Sequence, residues 1–553
     1  MDRPWLNSYP DGINADIDIN TYSSVVEIFE KSVKEFGDKP SFSNFGKTLS
    51  YNEFALATTA IAAYLQNTFG LVKGDRVAIM MPNLLQNPVS IFGVLRAGLT
   101  VVNTNPLYTA RELRHQLKDS GAKAIIVVEN FADIVEEVIA DTKVEHVIVT
   151  KMGDMLDFPK SMIINLVVKH LKKMVPDFSL PNAVPFKAML SEGAQQTLTP
   201  ISLTHDDLAF LQYTGGTTGV AKGAMLTHKN MVANMLQASE WIKNNVINGQ
   251  EIVITALPLY HIFSLTANCL VFMEAGAKNI LITNPRDFEG FVKELSSIPF
   301  TVMTGVNTLF NALINTKGFN DIDFSNLKIT LGGGMSVQPA VAAQWKQITA
   351  CTLVEAFGLT ETSPAACINP LDLKEYNGSI GLPIPSTYCK LIDDEGNDIA
   401  GGKAGELCIK GPQVMQGYWN LPEETANVFT KDGWLKTGDV AKMDGNGFFY
   451  IVDRIKDMIL VSGFNVYPSE IENVIVEHDS VLECGVIGVP DEKRGEAVKA
   501  FVVKKDDALT EATLLAYCKE NLTGYKTPHK IVFIQELPKT NVGKVLRREL
   551  RSL

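Results

Sequence analysis

Positions 213–223 read Tyr-Thr-Gly-Gly-Thr-Thr-Gly-Val-Ala-Lys-Gly and place glycines, threonines and one lysine in a single short stretch. Glycines permit positive φ and let backbone amides approach anionic oxygens closely. Threonine hydroxyls add donors, and the lysine adds a mobile positive charge. The residues concerned are Thr214, Gly215, Gly216, Thr217, Thr218, Gly219 and Lys222. The stretch predicts a loop that binds the polyphosphate of a nucleoside triphosphate; the alternative is a flexible surface turn.

The residues after Lys222 limit the kind of nucleotide chemistry. A Walker loop needs Ser or Thr directly after its lysine, because that hydroxyl binds Mg²⁺. Here Gly223 and Ala224 follow instead. The sequence therefore disfavours a kinase-type NTPase.

Alternating strand and helix patterns surround this loop. Strand-like runs begin at Arg76, Thr100 and Ala124 and are separated by helical stretches, and the same rhythm resumes from Ile252 to about residue 331. The fold class is therefore α/β, with two doubly wound units that bind ligand at the carboxyl ends of their strands. From about 380 to 452 short strands and turn dipeptides predict a small β-barrel-like unit. A compact α+β domain follows from 458 to 553.

Composition excludes several classes of function. The net charge of −12 argues against a nucleic-acid partner, since such binding depends on clustered Lys and Arg. The seven cysteines are scattered without a C-x-x-C pair, so neither a disulfide framework nor a zinc site is indicated. The N-terminal residues do not resemble a secretory signal, and a cytoplasmic location is expected. The apolar stretch 252–273 is interrupted by Pro258 and predicts buried core rather than a membrane span.

The glycine loop closely resembles the phosphate-binding loop of the adenylate-forming acyl-CoA synthetases, a family that includes luciferases, coumarate ligases and peptide-synthetase adenylation domains. Further motifs match that family over essentially the whole chain: Glu-Ala-Phe-Gly-Leu-Thr-Glu ending at Glu361, Trp-Leu-Lys-Thr-Gly-Asp ending at Asp439, and Pro-Lys-Thr-Asn-Val-Gly-Lys ending at Lys544. The resemblance implies ATP, Mg²⁺ and CoA as cofactor or substrates.

The resemblance also implies roles for individual residues. Thr218 and Glu361 would bind the metal, and an aromatic face at Phe357, where most relatives have tyrosine, would stack on adenine. Asp439 would bind the ribose hydroxyls, with Arg454 near the ribose or phosphate. The nucleotide-binding residues expected outside the glycine loop are Gly333, Glu355, Phe357, Gly358, Thr360, Asp439 and Arg454.

Two segments of the C-terminal part resemble moving parts of that family. The segment 451–457 is similar to the hinge about which the smaller domain swings, with Asp453 and Lys456 as the pivot, so the domains would be 1–452 and 458–553 with a hinge at 453–457. Lys544 would close on the active site during adenylation and, with Lys222, stabilise charge on the phosphate. Gly463 would line the pantetheine tunnel used by CoA.

The substrate is expected to be a long-chain fatty acid. His261 lies in a segment that resembles the loop bounding the acyl pocket, and an uncharged apolar helix follows it. The closest resemblance is to bacterial long-chain fatty acid:CoA ligases. A medium-chain or aryl acid ligase, and a fatty-acid uptake or binding protein with a dormant ligase body, stay open as alternatives. The resemblance alone implies homodimerisation.

One basic amphipathic segment lies between Pro159 and Pro176. Its apolar residues share a helical face, and its lysines lie largely opposite. Such a helix in an acidic protein suggests peripheral contact with anionic lipid on the inner face of the cell membrane; the alternative is a helix packed on its own domain. The residues are Met162, Ile163, Leu166, Val167, Leu171 and Met174 on the apolar face and Lys169, Lys172 and Lys173 opposite.

Overall fold

The computed structural model describes residues 3–214, 220–399, 402–462, 464–491, 493–540 and 543–553. Twenty-five strands lie within these ranges. The strands of the first 454 residues are β1 (Pro40–Asn44), β2 (Lys47–Ser50), β3 (Arg76–Met80), β4 (Thr100–Thr104), β5 (Ala124–Val128), β6 (His146–Thr150), β7 (Val184–Pro185), β8 (Leu208–Thr214), β9 (Lys222–Thr227), β10 (Ile252–Thr255), β11 (Lys278–Leu281), β12 (Val302–Gly305), β13 (Ile329–Gly332), β14 (Leu353–Gly358), β15 (Ala365–Ile368), β16 (Leu382–Pro383), β17 (Tyr388–Ile392), β18 (Gly405–Lys410), β19 (Leu435–Met443) and β20 (Phe449–Arg454). The remaining strands are β21 (Ile459–Val461), β22 (Phe464–Val466), β23 (Val481–Asp491), β24 (Gly495–Lys504) and β25 (Lys530–Phe533).

Helices connect most of the parallel strands. They are α1 (Val25–Phe36), α2 (Tyr51–Asn67), α3 (Gln86–Arg96), α4 (Ala110–Ser120), α5 (Ala132–Ile139), α6 (Lys160–Leu166), α7 (Phe186–Gly193), α8 (His228–Ile242), α9 (Ile262–Ser264), α10 (Val271–Glu274), α11 (Phe288–Leu295), α12 (Asn307–Ile314), α13 (Pro339–Thr349), α14 (Pro422–Val428), α15 (Pro468–Val476), α16 (Glu511–Asn521) and α17 (Arg547–Leu550). π-Helical turns at Val167–Leu171 and Leu265–Leu270 continue α6 and α9.

The first α/β unit is built on a seven-stranded sheet with the order β7-β6-β5-β3-β4-β8-β9. All of its pairings are parallel except that of β8 with β9, which form an antiparallel hairpin around the glycine loop. The central strands β4 and β5 are buried throughout, as expected for parallel strands covered by helices on both faces. This sheet confirms the first of the two predicted α/β units.

The second α/β unit contains a nine-stranded sheet with the order β16-β15-β14-β13-β12-β10-β11-β1-β2. The strands β1 and β2 come from near the N-terminus, and β1 pairs in parallel with β11 through Phe42 and Asn279. The sequence rhythm did not predict this addition, because the two partners lie more than two hundred positions apart. The N-terminal residues therefore complete a sheet made mainly of residues 252–383.

The two smaller sheets follow in chain order. β17 to β20 form a four-stranded antiparallel sheet, and an isolated bridge between Gly381 and Phe449 joins it to the chain near β16. β21 to β25 form a five-stranded sheet whose core includes Ile471 and Ile475 of α15 and Leu514 of α16. This last sheet and its helices are the predicted α+β region.

The apolar stretch 252–273 lies in the core. β10 is followed by the helical residues 262–274, and Leu265, Leu270 and Met273 are fully buried. Among the described residues no helix is long and apolar enough to span a bilayer. All seven cysteines are buried and unbridged.

Candidate functional site

The glycine loop lies at the end of the β8-β9 hairpin. Thr214, the last residue of β8, pairs across the hairpin with Lys222, the first residue of β9. The hairpin thus holds both ends of the loop at fixed positions, and the capping box of Thr227 and Asn230 begins α8 directly after β9. Part of the predicted phosphate-binding set lies outside the described residues, namely Gly215, Gly216, Thr217, Thr218 and Gly219.

Lys222 forms an ion pair that the sequence did not predict. Its Nζ contacts Oε2 of Glu424 in the first turn of α14 and lies 5.2 Å from the centre of the Tyr418 ring. The Tyr418 hydroxyl donates a 2.6 Å hydrogen bond to Oε1 of Glu361, the carboxylate expected to bind metal. The candidate phosphate lysine and the candidate metal ligand are therefore connected through one tyrosine.

The predicted adenine-binding residues lie at or just beyond the C-terminal ends of β13 and β14. Gly358 cannot be replaced without backbone movement, because a Cβ would lie 2.0 Å from the Pro364 carbonyl oxygen. A Cβ at Gly333 would lie 3.1 Å from the Phe263 ring. Phe357 is partly buried beside these glycines, and Thr360 begins the short 3-10 helix that carries Glu361. Close packing of backbone around this region explains the glycines in both motifs.

Glu355 is buried under the same edge of the sheet. Its Oε2 lies 2.8 Å from the Tyr376 hydroxyl and accepts a 3.3 Å hydrogen bond from the Val337 amide. Burial raises the pKa of Glu355 to about 8, so the carboxyl group is largely protonated at neutral pH. A neutral carboxylic acid can donate as well as accept a hydrogen bond, so Glu355 can be buried beside Tyr376 without an unpaired charge.

Asp439 and Arg454 lie opposite each other on β19 and β20. Nε of Arg454 is 3.3 Å from Oδ1 of Asp439, and the aspartate is almost fully buried. Burial raises the pKa of Asp439, and the positive charge of Arg454 opposes that rise. Arg454 therefore pairs with the predicted ribose-binding carboxylate and favours its ionised form.

The loop carrying Lys544 packs against the large body. A Cβ at Gly543 would lie 2.3 Å from Oγ1 of Thr308 in α12, so the loop touches the second α/β unit. Lys544 is half-buried, and desolvation of its ammonium lowers its pKa to about 7. The charge of Arg454 lowers this pKa further, whereas Asp439 raises it. Lys544 therefore lies within electrostatic range of the Asp439 and Arg454 pair.

His261 lies within electrostatic range of Lys544. Its Nδ1 accepts a 3.3 Å hydrogen bond from the Phe263 amide at the start of α9. Burial lowers the pKa of His261 to about 4, and the charge of Lys544 acts in the same direction. The imidazole is therefore neutral at physiological pH and borders the apolar residues of 262–274.

The residues expected at the pivot are held by a dense polar network. Asp453 is buried and accepts a 2.8 Å hydrogen bond from the Ser469 amide. Burial lowers the pKa of Lys456, and the charge of Arg454 lowers it further. Arg547 of α17 lies 3.9 Å from Asp453. Its guanidinium also pairs with Asp457 at 3.2 Å and Glu472 at 2.8 Å.

The structure brings most of the predicted residues into one region. The charges of Arg454, Asp439 and Lys222 influence the pKa of Lys456, and the charge of Lys544 influences that of His261, so these groups lie within electrostatic range of one another. Gly463, expected beside CoA, lies outside the described residues. Sequence reasoning missed Tyr376, Tyr418, Glu424 and Arg547. Glu424 has the local character of an ordinary acidic residue in the first turn of a helix, so only the fold reveals its partner.

Two family models match most of this chain. The AMP-binding enzyme family matches residues 29–419, and the AMP-binding enzyme C-terminal domain matches residues 470–544. A long-chain-fatty-acid–CoA ligase of Salmonella typhimurium is 56% identical over 100% of this chain and 98% of its own length. A ligase of the same name from Bacillus subtilis is 39% identical over 99% and 97%.

A solved structure extends the likeness to three dimensions. The anthranilate CoA ligase in complex with anthranoyl-AMP superposes with a TM-score of 0.85 at 25% identity and covers 97% of this chain and 98% of its own. The matches span both the large body and the region that carries Lys544. The chain belongs to the AMP-binding enzyme family.

Proposed function

We propose that this chain activates long-chain fatty acids to acyl-CoA in two steps. A fatty acid and ATP give acyl-AMP and pyrophosphate, and CoA then displaces AMP to give acyl-CoA. The observation that carries the proposal is the desolvation of Lys544 beside Asp439 and Arg454, because a loop from the C-terminal region there meets the predicted ribose site. The 56% identical relative, a long-chain-fatty-acid–CoA ligase, supports the substrate class.

The adenylation step needs positive charge at the α-phosphate. As the fatty-acid carboxylate attacks phosphorus, negative charge accumulates on the nonbridging oxygens, and preorganised cations stabilise it. Lys544 supplies one such charge from a desolvated position, and Lys222 supplies another at the β- and γ-phosphates. Asp439 accepts hydrogen bonds from the ribose, and neutral His261 bounds the acyl chain.

Magnesium fits the oxygen ligands near the glycine loop. Mg²⁺ usually takes one or two protein carboxylates and completes its shell with phosphates and water. Glu361 offers a carboxylate with one oxygen already oriented by Tyr418, and Thr218 would add a hydroxyl. In the described part of the chain no group of three or more His, Cys, Asp or Glu side chains forms a metal site, so most ligands would come from ATP and water. The ion supplies charge neutralisation on the polyphosphate.

The thioester step requires the C-terminal domain to rotate. We assign Asp453 and Lys456 to the pivot, the residues 453–457 to the hinge and Gly463 to the pantetheine path, with domains at 1–452 and 458–553. Asp453 binds the Ser469 amide at the start of α15 and therefore links the hinge to the domain that moves. Homodimerisation stays a prediction from the family resemblance.

A pyrophosphate-release assay tests the activity and the substrate together. Fatty acids from C4 to C18 and coumarate are each supplied with ATP, Mg²⁺ and CoA. Maximal release with C14 to C18 acids is expected. Maximal activity on coumarate or a medium-chain acid would replace the long-chain assignment with one of those alternatives. Absence of AMP formation with every acid would favour the dormant uptake or binding protein.

We also propose that the segment 158–174, called the basic flap below, docks on an anionic lipid bilayer. Its large apolar side chains point into solvent: Phe158 is 81% exposed and Leu171 77%. Isolated exposed apolar residues are ordinary, but six in one short segment form a patch typical of an interaction surface. The six are Phe158, Met162, Ile163, Leu166, Leu171 and Met174.

The inner side of the basic flap is fixed to the body by polar contacts. Oδ1 of Asn165 accepts a 2.8 Å hydrogen bond from the Gly153 amide. Nδ2 of Asn130 donates a 2.9 Å hydrogen bond to the Met174 carbonyl. The helix is therefore held with its apolar face outward, rather than packed on its own domain by that face. Exposed lysines beside apolar side chains complement the anionic headgroups of a membrane.

Vesicle flotation tests the basic flap. Binding to vesicles that contain anionic lipid is expected for the wild type, and the Lys169→Glu, Lys172→Glu, Lys173→Glu triple variant should lose it. A triple variant that floats like the wild type would remove the proposal. The matched control reverses three exposed lysines elsewhere and should float normally: Lys317→Glu, Lys403→Glu and Lys431→Glu.

A further inference from the structure

The ion pair between Lys222 and Glu424 joins two parts of the chain that lie 202 positions apart. Lys222 begins β9 beside the glycine loop, and Glu424 occupies the first turn of α14. The Lys222 side chain is 19% exposed and the Glu424 side chain 44% exposed. The pair therefore lies at an accessible edge of the site and not in the core.

Neighbouring contacts hold the start of α14 beside β9. The Tyr418 amide donates a 2.8 Å hydrogen bond to Oγ1 of Thr425, which fixes Tyr418 to α14. The Trp419 amide donates a 2.8 Å hydrogen bond to the Gly223 carbonyl, directly after Lys222. These bonds orient Glu424 and Lys222 toward each other independently of their charges. The carboxylate is thus positioned by the fold at the lysine expected to receive polyphosphate.

We propose that Glu424 is a displaceable counter-ion of Lys222, which competes with polyphosphate for the lysine and so favours the release of pyrophosphate. The inference rests on the ligase function proposed above. Before ATP binds, the carboxylate neutralises Lys222; when ATP binds, the phosphate oxygens take its place. After adenylation, Glu424 pairs with Lys222 again as pyrophosphate leaves.

The electrostatic argument follows from the accessible position of Glu424. A carboxylate near a polyanion repels it, and at the effective dielectric of a protein surface such repulsion amounts to a modest change in affinity. Glu424 offsets part of the attraction between Lys222 and the polyphosphate. The polyphosphate therefore binds more weakly, and exchanges faster, than it would at Lys222 alone. Because pyrophosphate is the leaving product of the first step, a site that bound it too tightly would be inhibited by it.

Glu424→Gln tests the competition, because it keeps the shape and a hydrogen-bond acceptor but removes the charge. The dissociation constant of pyrophosphate with Mg²⁺ is measured by isothermal titration calorimetry, without acid or CoA. Glu424→Gln is expected to bind pyrophosphate about three- to tenfold more tightly than the wild type. Its inhibition constant for pyrophosphate against ATP should fall in parallel. The charge-conserving Glu424→Asp variant should stay closer to the wild type.

Glu423→Gln is the matched control, since Glu423 is exposed on the same turn and should leave both constants unchanged. Equal or weaker pyrophosphate binding by Glu424→Gln, with an unchanged melting temperature, would overturn the inference and leave Glu424 as a structural partner of Lys222. If the wild type itself released no AMP with any acid, the ligase function would fail instead. The calorimetric comparison would still decide the competition, because it needs no turnover.

Discussion

Lys222 and Lys544, the two lysines assigned to phosphate chemistry, lie in opposite electrostatic surroundings. Lys222 is partly exposed and is neutralised by the adjacent carboxylate of Glu424. Lys544 is half-buried like Lys222, but desolvation of its ammonium together with the charge of Arg454 lowers its pKa to about 7. Lys222 thus has a carboxylate in direct contact, whereas no carboxylate in the described part of the chain forms an ion pair with Lys544.

The difference matches the two tasks of a nucleotide site. A paired and accessible cation can exchange its carboxylate for the β- and γ-phosphates and regain the carboxylate when pyrophosphate leaves. A desolvated cation without such a partner gains most when negative charge develops beside it, because desolvation strengthens that interaction. We therefore assign substrate binding mainly to Lys222 and stabilisation of the transition state mainly to Lys544.

Alanine substitutions should separate the two lysines most strongly. Lys544→Ala is expected to slow acyl-AMP formation by about 10²–10³-fold, as for loss of one preorganised donor at a transition state. Lys222→Ala is expected to cost about tenfold, mostly in KM for ATP, because other donors of the glycine loop stay in place. Single-turnover formation of acyl-AMP measures both. Equal losses in the rate constant would break the comparison.

The way each lysine is held gives the next test. Lys222 depends on one accessible pair, but the chain after Lys544 is anchored by the half-buried guanidinium of Arg547, which pairs with Asp457 and Glu472. Removing one partner of a buried charge network leaves the others uncompensated. Arg547→Met should therefore lower the free energy of unfolding of the C-terminal region by about 2–3 kcal/mol.

Urea denaturation of the full chain measures this loss. Arg548→Met is the control, because Arg548 is the adjacent residue and is exposed. It should leave the unfolding midpoint unchanged. A midpoint for Arg547→Met equal to that of the wild type would show that the Lys544 loop needs no such anchor.

The sequence predicted elements and motifs better than long-range pairs. The strand and helix rhythm was confirmed at β3, β4 and β5 because local periodicity follows from which faces are buried. The addition of β1 and β2 to the second sheet was missed, since pairing with β11 depends on the assembled body. Family motifs placed Asp439 and Lys544 in the same region, yet the carboxylate beside Lys222 carried no motif of its own.

The sequence also could not predict the direction in which the apolar face of the basic flap points. Periodicity identified an apolar face, but an apolar face can point inward or outward. Contacts with the assembled body decide that it points outward: Val168 is buried, Ile164 packs on the core, and Asn165 and Asn130 add polar contacts. The pKa of Lys544 likewise depends on burial by distant segments. Patterns predict which residues share a face, whereas assembled neighbours determine their charge and exposure.

The smallest expected effect is a proton taken up when nucleotide binds. In the ligand-free protein Lys544 has a pKa of about 7, so above pH 7 it is mainly neutral. Phosphate oxygens favour the charged form and raise this pKa, and binding at pH 8 should therefore take up close to one proton. At pH 6 Lys544 is already protonated, and uptake should be near zero. His261, with a pKa of about 4, stays neutral at both values.

Calorimetry of ATP binding in buffers of different ionisation enthalpy measures this uptake. Because binding takes up a proton, ATP affinity should fall as pH rises from 7 to 9 and the proton concentration decreases. Lys544→Met should abolish most of the uptake at pH 8, whereas Lys222→Met should keep it because the uptake is assigned to Lys544 alone. Loss of the uptake in both variants would contradict its assignment to Lys544, and the contrast between the two lysines would not hold.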